Sequence, residues 1–294
     1  MSRNTKLALA VILALAAVIL GIHYLTRVNL PLLFPDGSIG RQERNLIYLA
    51  AGLSLIVVIP VYFMLGFFAW KYRESNKNAK YDPDFDHSRL IESIWWGVPL
   101  AIITILAVVT WNSSHTLDPY KPIASQQKTL NIQVVAMEWR WLFIYPQQNI
   151  ATMNLVQFPQ KTPVQFDITA DAPMNSFWIP QLGGQIYAMS GMATKMHLIA
   201  DKTGSYQGYS ANISGKGFAD MSFTANSVTQ SDFDKWVGFV RQYRQGLDFN
   251  SYQQLAKPTI DSGTQYYSDV SPELFHQVVD KYNHISQPYG AGAI

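Results

Sequence analysis

Three long apolar runs dominate the first third of the chain. Residues 7–25 (LALAVILALAAVILGIHYL) carry no charge and follow Arg3 and Lys6. Residues 46–70 (LIYLAAGLSLIVVIPVYFMLGFFAW) are also uncharged, with Pro60 inside, and residues 93–111 (SIWWGVPLAIITILAVVTW) have Trp95 and Trp96 at one end and Trp111 at the other. A helix of about 20 residues spans a hydrocarbon layer of roughly 30 Å, so each run predicts a membrane-crossing helix. A buried helix of a soluble protein would need a surrounding core that the rest of the chain does not offer.

The basic residues set an orientation. Lys71, Arg73, Lys77, Lys80 and Arg89 sit between the second and third runs, which predicts a cytoplasmic loop there. Arg3 and Lys6 agree, and everything after about residue 112 is then expected in the periplasm of a bacterium. The first run also reads as a signal peptide, with a basic start and an apolar body. The small-residue site Ala14–Leu15–Ala16 falls inside the apolar run, and both readings of residues 1–27, signal peptide or N-terminal helix, stand.

From about residue 128 the pattern changes to short, alternating, β-rich segments: TLNIQVVAMEWRWLFIYP, NLVQFP, PVQFDITADAP, NSFWIP, TKMHLIA and GSYQGYSANIS. Pro, Gly, Asp and Asn bound them, and strands at this spacing predict a β-sandwich or barrel. After residue 227 the period becomes helical again. Phe233, Trp236, Val237, Phe239, Val240 and Tyr243 share one helical stripe, and Ser271-Pro272-Glu273 has the form of a helix start. Short amphipathic helices packed on a neighbour are expected there. The predicted organisation is a terminal segment 1–27, a two-helix transmembrane hairpin 40–115, an outer β-domain 120–227 and a C-terminal helical arm 228–294.

Composition removes several kinds of chemistry. With 22 Lys+Arg against 20 Asp+Glu the net charge is +2, so no strong field favours nucleic acid. Charged residues make up only 14%, in keeping with the apolar runs. Cys is absent, which excludes disulfides, thiolate metal sites, a Cys nucleophile and a lipid-modified Cys. The six His form no pair of metal-ligand spacing, and His197 reads as a structural residue of a strand. Asp82, Asp84 and Asp86 read as a solvated loop face. Ser210 and Ser214 have no adjacent basic partner, and the GKG at 215–217 lacks the spacing of a phosphate loop. Nothing supports an autonomous enzyme.

One constellation is more specific. Hydrophobic helices followed by an outer β-domain, with Glu138-Trp139-Arg140-Trp141 on an aromatic-rich strand and GYSANISGKGFADM at 208–221, resemble subunit II of the haem–copper respiratory oxidases. In the cytochrome c oxidase members that loop carries a dinuclear copper site on two Cys, a Glu, a His and a Met, with an earlier His. The resemblance sets Ser210 and Ser214 at the Cys positions, Asn212 at the Glu, Phe218 at the loop His and Asn175 at the earlier His; Met221 alone remains. Serine hydroxyls are neither soft nor ionised near neutral pH, and a lone thioether cannot hold a copper pair. The chain is therefore more similar to the quinol oxidases of the family, of the cytochrome bo type. IVVIP, FAWKYR with its Asn-Lys-rich loop, MNSFWIPQLGGQIYAMSGM and the C-terminal arm all look like that subunit. Many members carry a lipidated Cys, which is missing, and the chain stops soon after its arm.

The resemblance implies a cupredoxin-like β-sandwich emptied of copper, in subunit II of a proton-pumping ubiquinol oxidase of the bacterial inner membrane. It implies no metal in this chain, haems and copper in subunit I, ubiquinol as the substrate of the complex, and no cytochrome c docking. Partners are then subunit I, further oxidase subunits and the bilayer. Scaffold, assembly and proton-uptake roles are left for this chain. The alternatives are a cytochrome c oxidase subunit II, which lacks its ligands here, or a membrane-anchored β-sandwich binding module. Trp139 and Trp141 are expected to serve packing, since no metal lies beside them. Glu92, at the cytoplasmic start of the third run, reads either as a carboxylate suited to a helix dipole or as a residue passing protons into subunit I. The resemblance favours the second, since the family has a Glu there at the mouth of a proton channel.

Overall fold

The computed structural model describes residues 30–79, 86–260 and 263–283, with Thr5, Ile12, Ala16, Ile19, Leu20, Gly21 and His23. The expected terminal helix or signal peptide lies for the most part outside the described residues, as do Asp82, Asp84 and the last residues of the arm. Two compact units are present, one over residues 42–124 and the other over 125–294 with the residues up to Arg41.

The first unit holds helix α2 (Arg89–Thr116, 28 residues) and, beyond its first turn, helix α1 (Ser38–Lys71, 34 residues). At about 1.5 Å per residue both exceed the hydrocarbon thickness. Leu55, Ile59, Phe63, Trp96, Leu100 and Ile103 are all exposed, so neither helix has the single apolar stripe of a soluble surface helix. Pro60 and Pro99 lie inside these helices, as is tolerated in membrane spans. At the end of α1 the Arg73 Nη1 donates to the Trp70 carbonyl at 2.7 Å, and Lys71 lies over the rings of Phe67 and Tyr72. Cations and aromatics thus share one end of the helix, the pattern of a membrane interface.

The outer unit is a two-sheet sandwich. Its strands are β1 (Leu130–Met137), β2 (Arg140–Tyr145), β3 (Ile150–Met153), β4 (Leu155–Pro159), β5 (Val164–Ala170), β6 (Asn175–Trp178), β7 (Gln185–Ala188), β8 (Thr194–Leu198), β9 (Gly204–Ser210), β10 (Ser222–Val228) and β11 (Gln265–Ser268). One sheet has the order β11-β3-β2-β1-β5-β8 and the other β4-β10-β9-β6-β7. β1 runs parallel to β5 and β4 parallel to β10; the other pairs are antiparallel. The alternation in β10 puts Phe223 and Ala225 inside and Thr224 and Asn226 outward. Between the sheets Trp141 meets Phe177 and Phe223 edge-on at 5.5 Å, and Phe177 stacks on Phe223 at 5.2 Å. Each such buried ring contributes roughly 1.5–3 kcal/mol by burial alone.

The arm does more than the helical period suggests. α3 (Gln230–Val240) is capped by Thr229, whose hydroxyl accepts from the Asp232 N–H, and it buries Phe233, Val237 and Val240. Phe239 and Tyr243, on the expected stripe, are exposed. α4 (Phe249–Leu255) starts at Asp248, which accepts from the Ser251 N–H at 2.8 Å. β11 then joins the larger sheet beside β3, and α5 (Leu274–Asn283) follows. The neighbour on which the arm packs is the chain's own sheet. Leu247, Tyr252, Leu274, Phe275 and Val278 cover Val135, Met137, Leu142 and Ile144 on its outer face. That covering explains why β2 is buried at every position and does not alternate.

Asp171, just after β5, ties the arm down. Its carboxylate accepts from the Tyr252 hydroxyl at 2.9 Å, from Lys281 Nζ at 2.7 Å and from the Tyr282 hydroxyl at 2.5 Å, and its side chain is 1% exposed. Burial first, then the neighbouring carboxylate, raises both phenols above the usual tyrosine range, so they stay protonated donors. Asp171→Ala should therefore destabilise the outer unit by about 3 kcal/mol, whereas Lys281→Met, removing a half-exposed partner, should cost less than about 1 kcal/mol. Denaturant unfolding of the detergent-purified chain, followed by Trp fluorescence, measures both; equal effects would contradict the hub role.

Candidate functional site

The loop from Ser210 to Met221 joins β9 to β10 at one end of the sandwich. Ser210 closes β9 with its side chain turned inward, where Oγ donates to Asn175 Oδ1 at 2.9 Å in a buried contact. Asn175 Nδ2 donates to the Pro173 carbonyl at 2.7 Å. Asn212 Nδ2 donates to the Met174 carbonyl at 2.7 Å, and the Ala211 N–H to the Ser176 carbonyl at 3.1 Å. Met221 is buried, and its carbonyl accepts from the Ser210 N–H at 3.3 Å. Asn175, Ser210, Asn212 and Met221 are thus brought together. Phe218 opens a 3-10 turn over Phe218–Asp220 and is only half-buried, and Ser214 lies on the other limb of the loop.

Side-chain hydrogen bonds therefore knit the end of the sandwich at Asn175, Ser210 and Asn212. The donors present are two hydroxyls, two amides and one thioether, and the Asn175 and Ser210 side chains already bond one another. Such a set does not suit a copper pair, which needs ionised soft ligands. Among the described residues no three His, Asp or Glu converge as metal ligands either.

Trp139 holds the far limb of the loop. The aromatic-rich segment was expected on one strand; instead Glu138 and Trp139 form a two-residue turn between β1 and β2, because Met137 pairs with Arg140. Trp139 sits at φ 66°, unusual for a bulky residue. Its Nε1 donates to the Ser214 carbonyl at 3.3 Å, while the buried Ser214 Oγ has no partner among the described residues. A Cβ on Gly217 would lie 2.4 Å from the indole, so the ring fits only against glycine, and Gly215 beside it is at φ +114°. The pair of glycines in GKG, rejected as a phosphate loop, is the sequence signal for this contact. His197 is buried in β8 beside Gln165, as expected of a structural residue.

In the membrane unit, Glu92 lies in the first turn of α2, after Ser88 at the N-cap. Oε1 accepts from the Ser88 N–H at 3.3 Å and faces His87 Nδ1 at 2.5 Å; the side chain is about one-third exposed, at 34%. Glu92 thus makes a return bond to the cap and is also open to water. The His87 partner was not anticipated, although its spacing of five residues across a helix start could have suggested it.

Comparison with known proteins fits this architecture. A family profile described as "Cytochrome C oxidase subunit II, periplasmic domain" matches residues 145–228, and one described as "COX Aromatic Rich Motif" matches residues 241–285. Fold and profiles together define a cupredoxin-like oxidase subunit II with two helices long and apolar enough to cross a membrane. The "Cytochrome bo(3) ubiquinol oxidase subunit 2" of Pseudomonas putida is 52% identical over 263 residues, 90% of this chain and 84% of the relative. The protein of that name from Pseudomonas aeruginosa is 50% identical over 90% of this chain and 80% of its own. The "Ubiquinol oxidase subunit 2" of Acetobacter aceti is 46% identical over 87% and 83%. The chain belongs to the ubiquinol oxidase subunit 2 family.

Two outcomes follow for the loop. With copper added, the purified chain should show no thiolate-to-copper bands, and the variant Asn175→His, Ser210→Cys, Asn212→Glu, Ser214→Cys, Phe218→His should acquire them. A coloured wild-type product would overturn the emptied-loop assignment. Trp139→Phe should lose the bond to Ser214 and about 1 kcal/mol of stability while quinol oxidation by the assembled complex changes less than about twofold. A tenfold fall in turnover at normal haem content would give Trp139 a redox role.

Proposed function

We propose that this chain is the second subunit of a proton-pumping ubiquinol oxidase, carrying no redox centre of its own. Electrons from membrane ubiquinol then reduce dioxygen to water at haems and copper held by subunit I. The chain contributes scaffold, assembly and a proton-uptake residue. One observation carries the reading: the loop's donor set cannot receive electrons from a soluble cytochrome, in a chain whose relatives bear the name ubiquinol oxidase subunit 2. A quinol arrives through lipid and needs no docking surface on the outer domain. The missing thiolates argue against a cytochrome c oxidase subunit II.

The placement proposed is the bacterial inner membrane, with α1 and α2 spanning it and residues after about 112 in the periplasm. Support comes from the lengths of the two helices and from Lys71, Arg73, Lys77 and Arg89 between them. The apolar surface of both helices is then covered by lipid and by subunit I.

Glu92 is proposed as the proton-uptake residue. It is a carboxylate at the cytoplasmic start of α2, open to water, with an imidazole beside it. Carboxylates at a membrane boundary are costly unless they pair or work, and this one has the exchange partners to work. Glu92→Gln and Glu92→Ala should slow oxidase turnover several-fold with normal haem content, Glu92→Asp should retain part of it, and Asp86→Asn should be mild. Wild-type turnover in an assembled Glu92→Ala complex would reduce the residue to a helix cap.

A further inference from the structure

Residues 35–41 make a seam with the outer β-domain inside one compact unit. The chain runs antiparallel past the end of β8, with Gly37 bridged to Ala200. The Asp36 N–H donates to the Gln181 carbonyl at 2.8 Å, the Gly40 N–H to the Leu182 carbonyl at 3.0 Å, and the Asp201 N–H to the Asp36 carbonyl at 3.0 Å. Arg41 pairs with Asp201, and Lys202 Nζ meets Asp36 Oδ1 at 2.8 Å. The Tyr206 hydroxyl donates to the Lys202 carbonyl at 3.2 Å, and its phenol is pushed up to about 12 by burial and by the Asp36 and Asp201 carboxylates.

Shape, more than charge, specifies the seam. A Cβ on Gly37 would lie 2.7 Å from the Ile199 carbonyl oxygen and 2.8 Å from that of Leu182, both backbone atoms that cannot swing away. Gly37 is not among the glycines at positive φ, so the missing side chain answers a close approach and not a backbone conformation. A Cβ on Gly40 would meet Pro35 at 2.9 Å, and one on Gly183 would meet Leu198 at 2.7 Å and Ile39 at 3.3 Å. Three glycines converge on one contact, whereas Gly52 and Gly66, farther along α1, have nothing within 4 Å. The ion pairs are partly exposed and contribute little beyond register.

Ser38 to Arg41 are also the first turn of α1, a helix long and apolar enough to cross a membrane. We propose that residues 35–41 are a fixed joint, by which the outer domain grips the start of the first hairpin helix and keeps its place on the oxidase throughout turnover. The joint is a property of the chain, but its use in turnover rests on the reading of the chain as an oxidase subunit.

The chain has no Cys, so introduced pairs report without background. The bridge between Gly37 and Ala200 sets residue 36 opposite residue 201, within disulfide reach. Asp36→Cys/Asp201→Cys, in the full chain assembled with its oxidase partners, should form an intrachain disulfide under mild oxidation, and Asp36→Cys/Asp220→Cys should not. Oxidised and reduced forms should turn over ubiquinol within about twofold of each other. Gly37→Ala should lower the amount of haem-bearing complex several-fold, while Gly238→Ala, with open space around it, leaves it unchanged. No disulfide in the assembled oxidase, a disulfide that stops turnover until reduced, or a Gly37→Ala complex equal to wild type would each overturn the joint. Where Gly37→Ala fails to accumulate, the cysteine pair decides. The disulfide is read on a gel without reference to activity, so failure of the joint and failure of the oxidase reading are distinguishable.

Discussion

The pairing of β1 with β2 is the contact on which the outer domain depends. Both strands are buried on both faces. Inward, Val134, Trp141 and Phe143 enter the aromatic core shared with Phe177 and Phe223. Outward, Val135, Met137, Leu142 and Ile144 lie under the C-terminal arm. The turn between the strands carries Trp139 to the loop between β9 and β10, and the Ala136 carbonyl accepts from the Asp171 N–H, so the residue that ties the arm down is itself fixed to β1. A two-stranded ribbon is marginal alone, and here it persists because apolar surface is removed from water on two sides at once.

Neutral contacts alone order the loop between β9 and β10, among the described residues. They are a buried serine–asparagine bond, an amide to a carbonyl, and an indole laid against two glycines. Each neutral bond contributes only about 1 kcal/mol, so the loop's order rests on several weak contacts and on the sheet behind it. The buried Ser214 hydroxyl on the far limb of the loop is left without a hydrogen-bond partner among the described residues.

The membrane unit has the opposite economy. Its helices are apolar on every side, and their own backbones satisfy the hydrogen-bonding groups that lipid cannot. Polar chemistry is confined to the ends. At the start of α2, His87, Ser88 and Glu92 meet; at the end of α1, Lys71 and Arg73 lie against aromatic rings. Glu92 reaches back to the cap and still stays partly in water, because its bond to the Ser88 N–H occupies one oxygen.

The sequence by itself determined whatever depends on local period or on residue identity. Uninterrupted apolar runs specify helices in lipid, alternation specifies strands, and the absence of Cys excludes a thiolate metal site in this chain wherever its loops lie in space. What joins distant segments was decided only by tertiary structure. β11 pairs with a strand more than a hundred residues earlier, Asp171 gathers Tyr252, Lys281 and Tyr282, and Gly37 fits against Ala200. The segment holding β1 and β2 was expected to alternate, whereas β2 is buried at every position because the arm covers its outer face. The glycines at 37, 40, 215 and 217 read as ordinary loop residues until the neighbour that excludes a Cβ is in view. Such contacts leave no period in the chain, because they arise from shape complementarity between segments that meet only once the sandwich has closed.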